Sequence, residues 1–140
     1  MSFQWYLQVF AHGMASGVSR DALRRSVAGV LVEIDEDYWQ ADFGTDGPTD
    51  LFLQSLTDEP SLIHCISFDH VNAIAPLARA VWELLGESGS VFHFPGCAAA
   101  LARDAKIGLA LPADLLGALG PPMIIQDDRE IVRAFECGGA

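Results

Sequence analysis

Between Val30 and Phe68 the chain reads as four short extended runs cut apart by turn residues, and this rhythm restricts its fold more than any other property. Residues 30–34 are β-branched and apolar, and Asp35-Glu36-Asp37 turns the chain. Residues 38–43 then alternate, with Trp39, Ala41 and Phe43 on one face. Gly44-Thr45-Asp46-Gly47-Pro48 is a strong turn signal. Residues 51–56 and 62–68 are two more strands, divided by Thr57-Asp58-Glu59-Pro60. Runs of this length and spacing predict an antiparallel meander. The first run can also be read as the end of the preceding helix.

The flanking segments supply one more strand at each end and the helices. Phe3, Trp5, Leu7 and Val9 alternate with Gln4, Tyr6 and Gln8, the period of a half-buried strand. A glycine-containing loop leads to Ser19, an expected helix N-cap, with Asp21 in the first turn and Val18 and Leu23 placed as a hydrophobic staple. Gly29 is the expected stop. Ile74, Leu77, Val81, Leu84 and Leu85 recur at helical spacing, which puts Pro76 in the first turn. Residues 90–94 read as a strand closed by Pro95-Gly96, and the alanine-rich residues 97–106 read as a helix. Residues 112–119 read as a two-turn helix, with Pro112 at its start and Gly120 past its end. Residues 123–125 suit an edge segment, and Asp127 and Glu130 cap a last helix through Phe135.

The expected fold class is therefore α+β, an antiparallel meander sheet of five to six strands packed with two main helices and short C-terminal helices. One domain over residues 1–136 with a flexible tail, residues 137–140, fits the length of 140 residues. Apolar residues make up 51% and charged residues 19%, enough to build a core without disulfides or a structural metal. The longest apolar stretch, residues 107–125, is broken by Pro112, Asp114, Pro121 and Pro122 and does not suit a bilayer span. The first ten residues alternate and carry no Lys or Arg, unlike a signal peptide. Three cysteines, Cys65, Cys97 and Cys137, share no CxxC spacing and read as free thiols in a reducing cytoplasm.

Charge is distributed unevenly. From Ser26 to Ala78 there is no Lys or Arg, yet the stretch holds the ten acids Glu33, Asp35, Glu36, Asp37, Asp42, Asp46, Asp50, Asp58, Glu59 and Asp69. The remainder carries nine acids and eight bases, so nearly all of the net charge of −11 lies on the meander and its turns. Such a charge disfavours nucleic acid and anionic membrane as partners and favours a basic protein. The alternative is a solvated face that only keeps an apolar protein soluble. Asp42, Asp46 and Gly47 match three positions of a calcium loop, but Gly44 and Leu53 stand where ligands are needed, so no metal is expected there.

Two groups of residues invite a catalytic reading. A strand-to-helix turn at residues 92–97 would put Cys97 at a helix N-terminus, where its thiol is activated, with His93 as the base. The alternative is a small buried cysteine. His64, Cys65, His93 and Cys97 are a weaker zinc set, because neighbours on a regular strand face opposite ways. No nucleotide-binding, serine-hydrolase or zinc-protease motif occurs, and no cofactor is expected.

Three strings, residues 5–13 (WYLQVFAHG), 91–96 (VFHFPG) and 111–122 (LPADLLGALGPP), resemble those of a group of small bacterial proteins of unassigned activity. The acidic single-domain composition also resembles that of immunity proteins of bacterial toxin systems. The resemblance implies a bacterial, cytoplasmic, stand-alone domain and transfers no site residues. The expected function is a non-enzymatic acidic module docking a basic protein, a toxin in the immunity case. Its expected contacts are Asp35, Glu36, Asp37, Tyr38, Trp39, Asp42, Asp46 and Asp50. The alternatives are a small cysteine-dependent enzyme using Cys97 with His93, and a homodimer paired through the polar face of Gln4, Tyr6 and Gln8.

Overall fold

The computed structural model describes residues 4–44, 47–87 and 89–138. Asp46, one of the expected contacts, lies outside the described residues, as do residues 139–140 of the expected tail. The chain order is β1 (Trp5–Ala11), β2 (Met14–Ala15), β3 (Val18–Ser19), α1 (Arg20–Ser26), β4 (Leu31–Glu33), β5 (Tyr38–Ala41), β6 (Thr49–Ser55), β7 (Leu62–Asp69) and α2 (Ile74–Leu85). It continues with β8 (Ser90–His93), β9 (Leu101–Ala102), α3 (Ile107–Ala110), α4 (Ala113–Leu119), β10 (Met123–Ile124) and α5 (Asp128–Gly138).

The fold is α+β, with a larger and less regular sheet than a meander. Among the described residues ten strands form it, in the order β10-β9-β8-β1-β7-β6-β5-β4, with β2 beside β1 and β3 beside β7. The meander exists as β4-β5-β6-β7, with each pair antiparallel. It is then extended by β1, which inserts between β7 and β8, and by a parallel β9–β10 pair. The expectation of five to six strands is therefore corrected to ten. Residues 123–125, expected as an edge segment, supply β10, and the further strands β2, β3 and β9 are two residues each, too short to show a period in sequence.

Local signals account for most element boundaries. Ser19 caps α1, its Oγ accepting from the Ala22 N–H at 3.1 Å. Glu130 accepts from the Asp127 and Gln126 N–H groups, while Asp127 Oδ1 accepts from the Arg129 and Glu130 N–H groups at the start of α5. Residues 97–106, expected as a helix, form a loop, β9 and a turn instead. Leu101 enters the main core, while Ala100 and Ala102 enter a second one, so both faces of β9 are buried. That burial and the pairing to β8 and β10 override alanine's helical preference.

Side-chain alternation divides the cores between the two faces of the sheet. On one face Trp5, Leu7, Trp39, Leu51, Ile66, Phe68 and Phe92 are buried with Leu23 of α1, Leu77, Val81 and Leu84 of α2 and Ile131 of α5. On the other face, at the β8–β9 end, Phe10, Val91, Ala100 and Ala102 pack with Ile107 and Leu111 beneath α3 and α4. The rest of this second face, over β1, β7, β6, β5 and β4, faces outward with half-buried or exposed side chains.

Candidate functional site

Register defines the outward face residue by residue. His93 of β8 lies beside Tyr6 of β1, Tyr6 beside Ser67 of β7, Ser67 beside Phe52 of β6, and Phe52 beside Tyr38 of β5. Ile34 closes the row, its N–H donating to the Tyr38 carbonyl at 3.2 Å. One row thus crosses the sheet with two stacked pairs. Tyr6 and His93 stack at 5.3 Å between centroids, and Tyr38 and Phe52 stack at 5.1 Å. Phe52 is 44% exposed and Ile34 51% exposed, while the buried neighbours Leu51 and Leu53 point into the core. Gln8, Cys65 and Gln54 flank this row on one side, and Asp69, Asp50, Gln40 and Val32 on the other.

The carboxylates on this face are held in place. Asp50 accepts from Tyr38 Oη at 2.5 Å and Gln40 Nε2 at 3.0 Å, and its other oxygen lies 2.6 Å from His70 Nδ1. Burial alone would raise the Asp50 carboxyl, but the hydrogen bonds from Tyr38, Gln40 and His70 outweigh it and hold it below the usual range. The same hydrogen bond raises Tyr38, because it favours the protonated phenol. Asp69 stands directly across from Asp50; Gln4 Nε2 donates to its Oδ2 at 3.4 Å, and its buried Oδ1 has no partner.

The acids do not converge on one pole. Asp35, Glu36 and Asp37 precede β5 and Asp42 follows it, so they lie at opposite ends of that strand, about 13 Å apart for four residues. Asp58 and Glu59, in the β6–β7 turn, share the Asp35–Asp37 end because β6 runs antiparallel to β5. Arg20 ties the two turns together, donating to the Glu36 carbonyl at 2.6 Å and Ser55 Oγ at 2.9 Å and lying 3.7 Å from Asp37. Arg24 binds Glu33 at 3.0 Å and Asp21 at 2.8 Å, which lowers the Glu33 carboxyl and raises the guanidinium. Asp42 lies at the opposite end of β5, and Asp50, paired with His70, stands across from Asp69 toward that end.

Of the expected contacts, Asp35, Glu36, Asp37 and Asp42 are exposed, and Tyr38 and Asp50 lie half-buried on the outward face. Trp39 is corrected: it is 1% exposed, within the core, with Arg24 over its ring at 5.1 Å. Tyr38 and Trp39 are strand neighbours, and the period of two cannot present both to one partner. The same period makes Phe52 an outward residue, a position that the charge-based reading passed over.

The structure separates the residues of the catalytic alternative. Cys97 follows no strand-to-helix turn. It lies in a loop, packs against the main core, and its Sγ donates to the Ala99 carbonyl at 2.6 Å. Burial pushes its thiol up and the His93 imidazole down. The His93 ring is on the opposite, outward face, stacked on Tyr6 with Nε2 donating to Gln8 Oε1 at 3.1 Å. Cys97 is therefore expected to alkylate more slowly than an unstructured cysteine at neutral pH and to speed up only at alkaline pH. Iodoacetamide labelling followed by peptide mass spectrometry measures this, and rapid labelling of folded Cys97 at pH 7 would contradict it.

His64 also has a structural place. The register leaves it as the extra residue of a β-bulge opposite Gln54 and Ser55, with Nδ1 3.0 Å from the Val9 and Ser16 carbonyls. Among the described residues, no group of three or more His, Cys, Asp or Glu side chains is arranged to hold a metal ion. Among them too, no helix is long and apolar enough to cross a membrane. Comparison with protein-family models, curated proteins and solved structures finds no match, so the site is read from its own geometry.

Proposed function

We propose that the chain is a non-enzymatic docking module whose outward sheet face receives a basic protein partner, in the manner of an immunity protein that covers a toxin. The observation that supports this reading is the row His93-Tyr6-Ser67-Phe52-Tyr38-Ile34, left uncovered by the helices and flanked on one side by Asp50 and Asp69, with no Lys or Arg on the strands β4 to β7. Aromatic side chains in such a row give buried contact area at small entropic cost. The acids at both ends, Asp35–Asp37 and Asp42 with Asp50, steer a basic partner and set its salt dependence. This division of labour predicts that charge governs the on-rate and the aromatic pairs govern residence time.

The reading is tested with the tagged chain and a Tyr38→Ala, Phe52→Ala double variant, each used to capture proteins at low and high salt. The expected result is a basic protein held by the first at low salt, released at high salt, and lost by the double variant. Where that protein is a toxin, adding the chain in equal amount abolishes its activity. Retention indifferent to salt, or equal retention by the double variant, overturns the reading. Because Phe52 is 44% exposed but stacks on Tyr38, its truncation alone is expected to cost about 1 kcal/mol, which urea unfolding of that variant checks.

A further inference from the structure

The sheet ends at β4, a three-residue edge strand that carries neither lysine nor proline. Val30 accepts from the Asp42 N–H at 2.9 Å and Ile34 donates to the Tyr38 carbonyl at 3.2 Å, while Val32 is in register with Gln40. In an antiparallel ladder the intervening residues, Leu31 and Glu33, therefore aim their N–H and carbonyl groups away from β5, along the free edge. Natural edge strands are commonly blunted by lysine, proline or a bulge. Here the sequence is Leu31-Val32-Glu33-Ile34, with Val32 and Ile34 each 51% exposed and the Glu33 carboxylate engaged by Arg24. Beside the edge, on its helix side, lies a cavity of about 370 Å³ lined by Arg20, Arg24, Glu33, Asp35, Glu36 and Trp39.

From this edge, its two exposed apolar side chains and the adjoining cavity, we infer that β4 accepts an extended basic segment of the partner as an additional antiparallel strand. The inference rests on the docking reading and adds the mode of attachment. Main-chain bonds to Leu31 and Glu33 give the affinity, and alternate side chains of the incoming strand give the selectivity. On the outward face those side chains meet Val32 and Ile34 and extend the Phe52–Tyr38–Ile34 row. On the helix face they meet the cavity, where Arg24 is engaged by Glu33 and Asp21, and Arg20 by Asp37 and the Glu36 carbonyl, which leaves the exposed carboxylates of Asp35 and Glu36 to receive a lysine or arginine. A second copy of the chain is the less favourable occupant, because each copy carries a net charge of −11 and would bring its own acidic turns to the pairing edge.

The test uses the full chain and a synthetic peptide alternating lysine and valine. The expected result is saturable binding together with slowed hydrogen exchange at the Leu31 and Glu33 amides. Val32→Lys, an exposed position whose substitution leaves the core intact, is expected to weaken binding by about tenfold or more through like-charge repulsion at the edge. Leu109→Ala, an exposed position on α3 at the other end of the sheet, is expected to leave peptide binding unchanged. No binding, binding without slowed exchange at those two amides, binding indifferent to Val32→Lys, or dimerisation of the chain through this edge overturns the inference. Partner capture that depends on Tyr38 and Phe52 but not on Val32 would leave the docking reading standing and remove only the added strand.

Discussion

Replacing Gly89 with alanine is expected to destabilise the protein by more than about 3 kcal/mol, against about 1 kcal/mol for Gly13→Ala. Both glycines have positive φ, +81° and +75°, so both substitutions carry the cost of left-handed backbone. They differ in what surrounds them. A Cβ at Gly13 meets nothing within 4 Å, whereas one at Gly89 would stand 1.8 Å from the Phe10 carbonyl oxygen. That obstacle is backbone and cannot rotate away. The Phe10 N–H donates to the Gly89 carbonyl at 2.9 Å, so the contact is part of the junction where β8 begins alongside the end of β1. Relieving it requires parting the strands that join both cores. Urea unfolding of the two variants side by side measures the difference, and equal midpoints would show that the close approach has no energetic weight.

The second large effect is expected at Trp5. Its side chain is 0% exposed and makes edge-to-face contacts with Phe92 at 5.1 Å and Phe135 at 5.3 Å. It thereby links β1, β8 and α5 at the centre of the main core. Trp5→Ala removes a large aromatic that three elements enclose, and the expected cost is about 3–5 kcal/mol. That is a large part of the stability of an ordinary domain, about 5–15 kcal/mol. Trp5→Phe separates volume from polarity. The indole Nε1 is buried with no hydrogen-bond partner, so phenylalanine removes an unpaired donor while it loses some packing. Its expected cost is clearly smaller than that of Trp5→Ala, because phenylalanine keeps most of the ring and leaves a smaller cavity. A Trp5→Phe variant as unstable as Trp5→Ala would show that the indole makes a contact that phenylalanine cannot replace.

Elements with a long, clear period could be read before any coordinate was known. The alternation at β1 and β5, the helical spacing of Ile74 to Leu85, and the caps at Ser19 and Asp127–Glu130 all describe short-range physics, and they recur in the structure. Residues 97–106 failed because alanine's preference for helix is worth only tenths of a kcal/mol per residue, less than burying Ala100, Leu101 and Ala102 between two cores. The site was partly visible. Gln4, Tyr6 and Gln8 were identified as a polar face, and Tyr38 and Asp50 as contacts. The strand period that buries Trp39 next to Tyr38 also turns Phe52 outward.

From its residues alone this protein fixes its class, its helix caps and the location of its charge, because each depends on neighbours a few positions apart. Which strands adjoin is another matter. The insertion of β1 between β7 and β8, the separation of Cys97 from His93, and the division of the acids between two ends all follow from long-range pairings, such as that of Tyr6 with His93. Those pairings are chosen by how the whole set of apolar faces can be buried at once, a condition that no local window of the chain contains.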